Sequence, residues 1–135
     1  MKNTVLSAEG LCKSFAHNGG QLHILSHVDV TLYEGDFTVI MGTSGSGKST
    51  LLYALSGMDR ATAGEVIYNG NDLVKMNEKG LASLRCTDFG FIFQQMHLVS
   101  NLSLFENVAV SGYLNKSRSA AQVKERAEKL LEQMG

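Results

Sequence analysis

The sequence contains no proline and only two cysteines among its 135 residues. Because average proline usage is about 5%, a chain of this length would normally hold several, and turns that proline stiffens elsewhere must form without it here. Cys12 and Cys86 lack the close spacing of metal ligands. We interpret them as reduced thiols without a chemical role, as expected in a reducing compartment.

Long apolar runs and an excess of charge are also missing. No run approaches the roughly 20 apolar residues that a membrane-spanning helix requires, and the first ten residues contain no hydrophobic signal core. Twelve basic and thirteen acidic residues give a net charge of -1, which supplies no basic surface for nucleic acid or anionic lipid. We therefore expect one cytoplasmic domain with no nucleic-acid partner and no membrane anchor of its own.

Strand-forming residues dominate the first part of the chain. Residues 4–15 and 22–41 alternate apolar and polar side chains around glycine-containing breakers, which predicts an antiparallel meander. Within the second stretch, "FTVIM" at 37–41 is continuously apolar, a pattern typical of a strand covered on both faces in an α/β sheet. The runs at 64–70 and 89–94 are predicted to be further strands.

Helical patterns occupy three other stretches. A helix is predicted from Lys48 to about Ser56, ending near Gly57, and a short one over 77–85. The end of the chain is the clearest case, because Ser119 and Gln122 have the spacing of a capping box. Its predicted apolar face comprises Val123, Ala127, Leu130, Leu131 and Met134.

A phosphate-binding loop is predicted directly after the apolar run at 37–41. The sequence "GTSGSGKS" fits the P-loop pattern G-x-x-x-x-G-K-[ST], with an apolar strand pattern before it and a helix pattern after it. Glycines in such a loop let successive backbone N–H groups point at phosphate oxygens, and the following helix N-terminus adds its positive dipole. The predicted nucleotide-binding residues are Gly42, Thr43, Ser44, Gly45, Ser46, Gly47, Lys48, Ser49 and Thr50.

Two side chains of this loop have specific predicted roles. Lys48 would place a point charge on the β- and γ-phosphates, and the Ser49 hydroxyl would coordinate Mg2+. A P-loop alone does not distinguish GTPases, kinases and ATPases. The segment "NKSR" at 115–118 lacks the aspartate with which a GTPase reads guanine, and the four arginines do not cluster as in a kinase lid.

The rest of the sequence resembles the nucleotide-binding domain of ABC transporters over essentially the whole chain. The resemblance rests on "KSF" at 13–15, the P-loop in its flanking sequence, and "LRCTDFGFIFQQMHLVSNLSLFENV" at 84–108. It is most similar to the branch that serves lipoprotein release, macrolide export and antimicrobial-peptide export. It implies an α/β P-loop NTPase fold: an antiparallel β subdomain, an incomplete core sheet over about 1–94, and the start of a helical subdomain over about 95–135.

Roles for two further residues follow from this resemblance. Phe15 matches the aromatic residue that stacks on adenine, although an ordinary edge aromatic would look the same. Gln94 matches the Q-loop glutamine, a catalytic residue alongside Lys48 and a Mg2+ ligand alongside Ser49; a solvated glutamine is the alternative. The implied cofactors are ATP and Mg2+. The implied partners are transmembrane permease subunits and a second ATP-binding subunit, with the chain peripheral on the inner face of the membrane.

The sequence also departs from the family pattern. Thr43 replaces a usual proline, and "LVS" at 98–100 replaces "LLP". The signature motif, the Walker B carboxylates and the switch histidine do not occur in the 135 residues, so we expect no hydrolysis by this chain alone. Two interpretations remain: an ATP-binding subunit fragment that energises export, or a non-catalytic or vestigial nucleotide-binding fragment. Either way, the resemblance implies that 37–41 and 90–94 lack their neighbouring strands.

Overall fold

A computed structural model describes residues 2–135, which form two compact units that meet in sequence at Ala82 and Ser83. The helix α2 (Glu78–Thr87) spans this junction. Among the described residues, no helix has the length and apolar character to cross a lipid bilayer. The other elements of the first unit are β1 (Thr4–His17), β2 (Gly20–Tyr33), α1 (Lys48–Leu55), β3 (Ala63–Tyr68) and β4 (Asn71–Asp72), and those of the second unit are α3 (Leu104–Leu114) and α4 (Ala120–Met134).

The sheet of the first unit has the order β2-β1-β3-β4 with antiparallel pairing throughout. The predicted meander and the predicted strand at 64–70 are thereby confirmed. Gly64 has φ +88°, and a Cβ added there would lie 2.5 Å from the carbonyl oxygen of Gly10. Only glycine allows β3 to approach β1 so closely at this point.

The helix α1 contacts both β1 and β2 and buries Leu51, Ala54 and Leu55. Its predicted end is confirmed, since the helix stops at Leu55 and Gly57 follows with φ +65°. A Cβ on Gly57 would come within 2.8 Å of Leu81 in α2. The turn after α1 therefore combines a left-handed backbone with a close side-chain contact, and glycine satisfies both requirements.

Two predicted strands do not form. Residues 37–41 and 89–94 have no strand assignment, and none of the strands in 2–135 pairs with either of them. Phe37 is 94% exposed, Met41 86% and Ile92 fully exposed. A strand requires a neighbouring backbone for its N–H and C=O groups, and apolar character alone does not supply one. The core sheet is therefore incomplete, as the family resemblance implied.

Two capped helices build the second unit. In α4 the Ser119 hydroxyl accepts from the Gln122 N–H while the Gln122 side chain accepts from the Ser119 N–H, which confirms the predicted capping box. The bounds of α3 were not predicted, although it lies in the predicted helical subdomain; Ser103 and Glu106 form the same arrangement at its start. Leu130 and Met134 are exposed, contrary to the predicted apolar face of α4. The core shared by α3 and α4 comprises Ala109, Val123 and Ala127, with Phe105 and Val108 against it.

The Asp72 carboxylate joins β3 to the segment that follows β4. Its Oδ1 accepts from the N–H of Val74 at 3.0 Å and of Val66 at 3.4 Å, and its Oδ2 lies 2.8 Å from Lys75 Nζ. Burial alone would raise the pKa of Asp72. The Lys75 ammonium and the two backbone donors outweigh burial and hold this pKa below its ordinary value of 3.8.

The Asp72 contacts predict a pH dependence of local stability. A depressed folded-state pKa means that the contribution is complete above the unfolded pKa and is lost as pH falls through the folded value. We expect the hydrogen-exchange protection of the Val74 amide to be constant between neutral pH and about 5, and to fall below about pH 4. Asp72→Asn should lower this protection roughly fivefold at pH 6, equivalent to about 1 kcal/mol. Asp36→Asn, at an exposed ion pair, is the control; equal effects of both variants would contradict the assignment.

Candidate functional site

The loop at 42–47 runs without regular structure into the first turn of α1. Gly45 and Gly47 have φ +78° and +87°, and Gly47 is the N-cap residue of the helix. The Ser46 N–H donates to the Thr43 carbonyl at 3.3 Å, and helical bonding starts with the Leu51 N–H on the Gly47 carbonyl at 2.8 Å. The N–H groups of residues 48–50 therefore precede the helical ladder, the arrangement that makes a helix N-terminus attractive to anions.

Close contacts require glycine at both ends of the loop. A Cβ on Gly42 would lie 2.7 Å from Ser46 Oγ, inside the curve of the loop. At Gly47 it would lie 3.1 Å from Cγ2 of Ile24 and 3.3 Å from Cδ2 of Leu25. The second contact shows that the end of the loop rests directly on β2. The sheet therefore sets the position of the loop.

The side chain of Lys48 folds back into the loop. Its Nζ donates to the carbonyl oxygens of Gly42 at 3.0 Å and Thr43 at 2.6 Å, and to Ser46 Oγ at 3.3 Å. The ammonium is thus held where the loop is concave, next to the positive end of α1. Ser44 is exposed at the turn, Ser49 is exposed in the first turn of α1, and Thr50 is half-buried beside it.

A cavity of about 350 Å³ opens next to this loop. Ile24, Leu25 and Val28 of β2 form one wall. Ile40, Met41, Leu51 and the loop residues Gly42, Thr43, Ser46, Gly47 and Lys48 form the others. The cavity combines apolar walls with backbone donors and one ammonium group, a combination typical of small-molecule sites.

The predicted residues Phe15 and Gln94 lie in different units. Phe15 belongs to β1, in the same unit as the loop, with 41% of its surface exposed and Leu22 of β2 directly across from it. Gln94 is an exposed residue of the second unit, in an irregular segment where the rings of Phe91 and Phe93 stack with centroids 5.8 Å apart. The structure therefore brings Phe15, but not Gln94, into the unit that holds the loop.

Lys13 is a neighbour of Phe15 that the sequence analysis did not single out. Its Nζ lies 4.8 Å from the centre of the Phe15 ring and 2.5 Å from Asp59 Oδ1. The signal for it was present in the sequence, since a charged residue at 13 shares one face of a strand with the apolar residues 11 and 15. A charge at an inward position needs a partner, which only the folded chain identifies.

The residues present fit a nucleotide phosphate group. A Cβ at Gly42 would fill the space inside the loop. The Lys48 ammonium lies in this space and donates to the carbonyl oxygens of Gly42 and Thr43. Hydroxyl groups of Ser49 and Thr50 stand at the helix start, as oxygen donors that Mg2+ accepts. Across residues 2–135, no three His, Cys, Asp or Glu side chains cluster in a way that would hold a metal ion by themselves. The Lys48 ammonium and the glycine-lined curve of the loop fit a polyphosphate ligand.

Several known proteins are similar to this chain over nearly its whole length. The lipoprotein-releasing system ATP-binding protein LolD of Buchnera aphidicola subsp. Schizaphis graminum is 36% identical over 98% of this chain, and the chain spans 57% of that protein. The ATP-binding cassette MJ0796, solved as a dimer with ADP and Pi, matches 94% of the chain and 56% of the cassette at 29% identity and a TM-score of 0.86. The cbiO1 protein of Clostridium perfringens matches 97% of this chain at 25% identity and a TM-score of 0.70, and the match covers 50% of cbiO1.

The chain spans little more than half the length of these relatives, and the shared part includes the loop and the sheet that carries it. The sequence pattern that defines the ABC transporter family matches residues 25–135, which include the loop, α1 and the whole second unit. With its partial P-loop NTPase fold, this chain belongs to the ABC transporter family.

Proposed function

We propose that this chain binds ATP through the loop at 42–50, as the ATP-binding part of an ABC transporter that energises export. The observation that carries the proposal is the position of Lys48, whose ammonium lies inside the glycine-lined curve at the N-terminus of α1. Charge-assisted hydrogen bonds from such a group are about twice as strong as neutral ones. A ligand with two or three linked phosphates would replace the carbonyl oxygens that Lys48 now contacts.

Each part of the loop has a separate role in this proposal. Backbone N–H groups of Gly45, Gly47 and the first turn of α1 bind the phosphate oxygens, and Lys48 neutralises the β- and γ-phosphates. Mg2+, when bound, would supply positive charge that offsets the charge of the phosphates. Ser49 would contribute a hydroxyl ligand to it, and Gln94 is the amide-oxygen ligand that the family resemblance implies. Phe15 would stack on the adenine base and hold it at the edge of the hairpin.

The partners are proposed from the relatives. LolD is the ATP-binding protein of a lipoprotein-releasing system, and MJ0796 forms dimers of its cassette. We propose that this chain likewise works with transmembrane permease subunits and a second ATP-binding subunit, and that it meets the inner face of the membrane only through them. The second unit, with the aromatic cluster of Phe91, Phe93 and His97, supplies the surface for the permease.

Binding of a series of nucleotides tests whether the loop at 42–50 forms a phosphate cradle, that is, a site for the phosphate groups. With Mg2+ present, isothermal titration of the purified chain should give similar affinities for ATP and ADP and at least tenfold weaker binding of AMP. AMP lacks the β-phosphate that Lys48 contacts, and the loss of one charge-assisted hydrogen bond is worth about 1.5 kcal/mol or more. Affinities for AMP and ADP that agree within a factor of two would show that the loop does not bind the β-phosphate.

A further inference from the structure

We infer that Lys13 is a positioning residue that holds the Phe15 ring at a set distance from the phosphate-binding loop. Lys13 itself touches no phosphate in this arrangement and acts through Phe15. The inference rests on the proposed function, because it concerns the base of the nucleotide whose phosphates the loop would bind.

Lys13 is buried, although lysine is almost never buried without partners. Only 8% of its surface is exposed. Its Nζ donates to Asp59 Oδ1 at 2.5 Å and to the Arg60 carbonyl at 2.6 Å, which compensates for the loss of hydration. Both partners lie in the segment that follows α1. The side chain therefore connects the middle strand of the sheet to the end of the P-loop helix.

The segment that receives Lys13 is itself attached to α1. The N–H groups of Met58 and Asp59 both donate to the Tyr53 carbonyl, at 2.9 and 3.1 Å. Tyr53 lies in the last turns of α1. A displacement of α1 would therefore move Asp59, and with it the ammonium of Lys13.

The start of α1 is fastened to the same part of the hairpin. Gly47, its N-cap residue, rests on Ile24 and Leu25 of β2. Leu25 is the residue directly across from Lys13 in the pairing of β1 with β2, so both side chains lie on one face of the sheet. The start of the helix is thus held by the packing of Gly47 against Leu25. The segment after its end is held by the ion pair of Asp59 with Lys13.

The Lys13 ammonium also contacts the Phe15 ring, which is the proposed base platform for adenine. It lies 4.8 Å from the centre of the Phe15 ring, within the range of a cation–π interaction. Phe15 keeps 41% of its surface exposed and Leu22, across from it, 48%. One group therefore contacts both the aromatic ring and the segment fixed to the P-loop helix, while an apolar surface stays open for a purine.

A pair of ligands separates this role from general stabilisation. Mg2+ tripolyphosphate carries the phosphates of ATP without the base, so only ATP uses Phe15. We expect Lys13→Met, which keeps most of the aliphatic stem, to weaken Mg2+-ATP binding about tenfold in isothermal titration of the full chain. Tripolyphosphate binding should stay within twofold of wild type. Phe15→Leu should have the same selective effect, and the double variant should lose no more than either single one.

Lys2 offers a matched control. Its Nζ also forms an ion pair, with Asp36 at 2.8 Å, and lies 5.9 Å from the Tyr33 ring centre, but Lys2 is exposed. Lys2→Met should leave the affinities for both ligands unchanged. If Lys13→Met fails to fold, Asp59→Asn is the alternative variant. It removes the carboxylate that pairs with Lys13, at the half-exposed member of the ion pair. We expect the same selective loss of ATP binding, at smaller amplitude.

The outcomes are distinct. Equal weakening of ATP and tripolyphosphate in the Lys13 and Asp59 variants, or no weakening of ATP, would overturn the positioning role. A wild-type chain that binds ATP no more tightly than tripolyphosphate would overturn the base platform and the role of Lys13, and would leave the phosphate cradle in place. A chain that binds neither ligand would overturn the proposed function as well.

Discussion

Replacing Lys48 by alanine should reduce Mg2+-ATP binding by at least 30-fold, to the detection limit of titration calorimetry. Two losses combine. The ammonium would contribute charge-assisted hydrogen bonds to the β- and γ-phosphates, each worth about 1.5–3 kcal/mol, and every 1.4 kcal/mol is a factor of ten in affinity. It also joins the carbonyls of Gly42 and Thr43, so its removal loosens the loop before any ligand arrives.

The Lys48 variant needs a control for charge and for folding. Lys129→Ala removes one positive charge from an exposed position on α4 and should leave ATP affinity unchanged. The amide exchange of β1 and β3 should be the same in both variants, because the sheet does not depend on the Lys48 side chain. An affinity in Lys48→Ala within threefold of wild type would show that the cradle does not bind the nucleotide.

Self-association of the isolated 135-residue chain is the second large effect that we expect. Phe37, Val39 and Met41 alternate along one extended segment and are 94%, 60% and 86% exposed. Burying three such side chains is worth roughly 5 kcal/mol, which is comparable with the net stability of a small domain. The same segment has no strand beside it in residues 2–135, so its backbone can pair with another chain.

A single lysine should suppress this association. Val39→Lys places a charge at the centre of the apolar segment, where pairing with a second chain would bury it. In sedimentation at tens of micromolar, wild type should form oligomers or aggregates and Val39→Lys should be a monomer. Val110→Lys is the matched control: it makes the same exchange at an exposed position on α3 and should behave as wild type. A monomeric wild type with strongly protected amides at Val39 and Phe91 would contradict the prediction.

Local patterns predicted most of the elements correctly. The hairpin of β1 and β2, the strand β3 and the helices α1 and α4 all follow from side-chain periodicity, glycine positions and one capping box. These signals act between residues close in sequence. The helix α3 has the same kind of signal in Ser103 and Glu106, and its prediction required only the recognition of a second capping box.

The predicted strands at 37–41 and 89–94 were wrong, because strand formation depends on more than local composition. Their composition favours β structure, with Gly90 the exception in the second segment. A strand, however, is completed by another segment that accepts and donates its backbone hydrogen bonds, and neither segment has such a neighbour in residues 2–135. Composition describes what a segment can bury, and pairing decides whether it becomes a strand.

The sequence by itself determined the form of the glycine-rich loop at 42–47, because the features that shape it are local. Glycines at 42, 45 and 47 and the lysine at 48 specify a backbone curve with a cation inside it, whatever surrounds them. The tertiary structure alone decided that this loop rests on β2 through Gly47, and that Lys13 joins Asp59 to the Phe15 ring. Gly47 lies more than 20 positions from the β2 residues that it contacts, and Lys13 and Asp59 are 46 positions apart. A buried ammonium takes whichever partners the packing of α1 on the sheet brings within reach, and no pattern in the sequence names them.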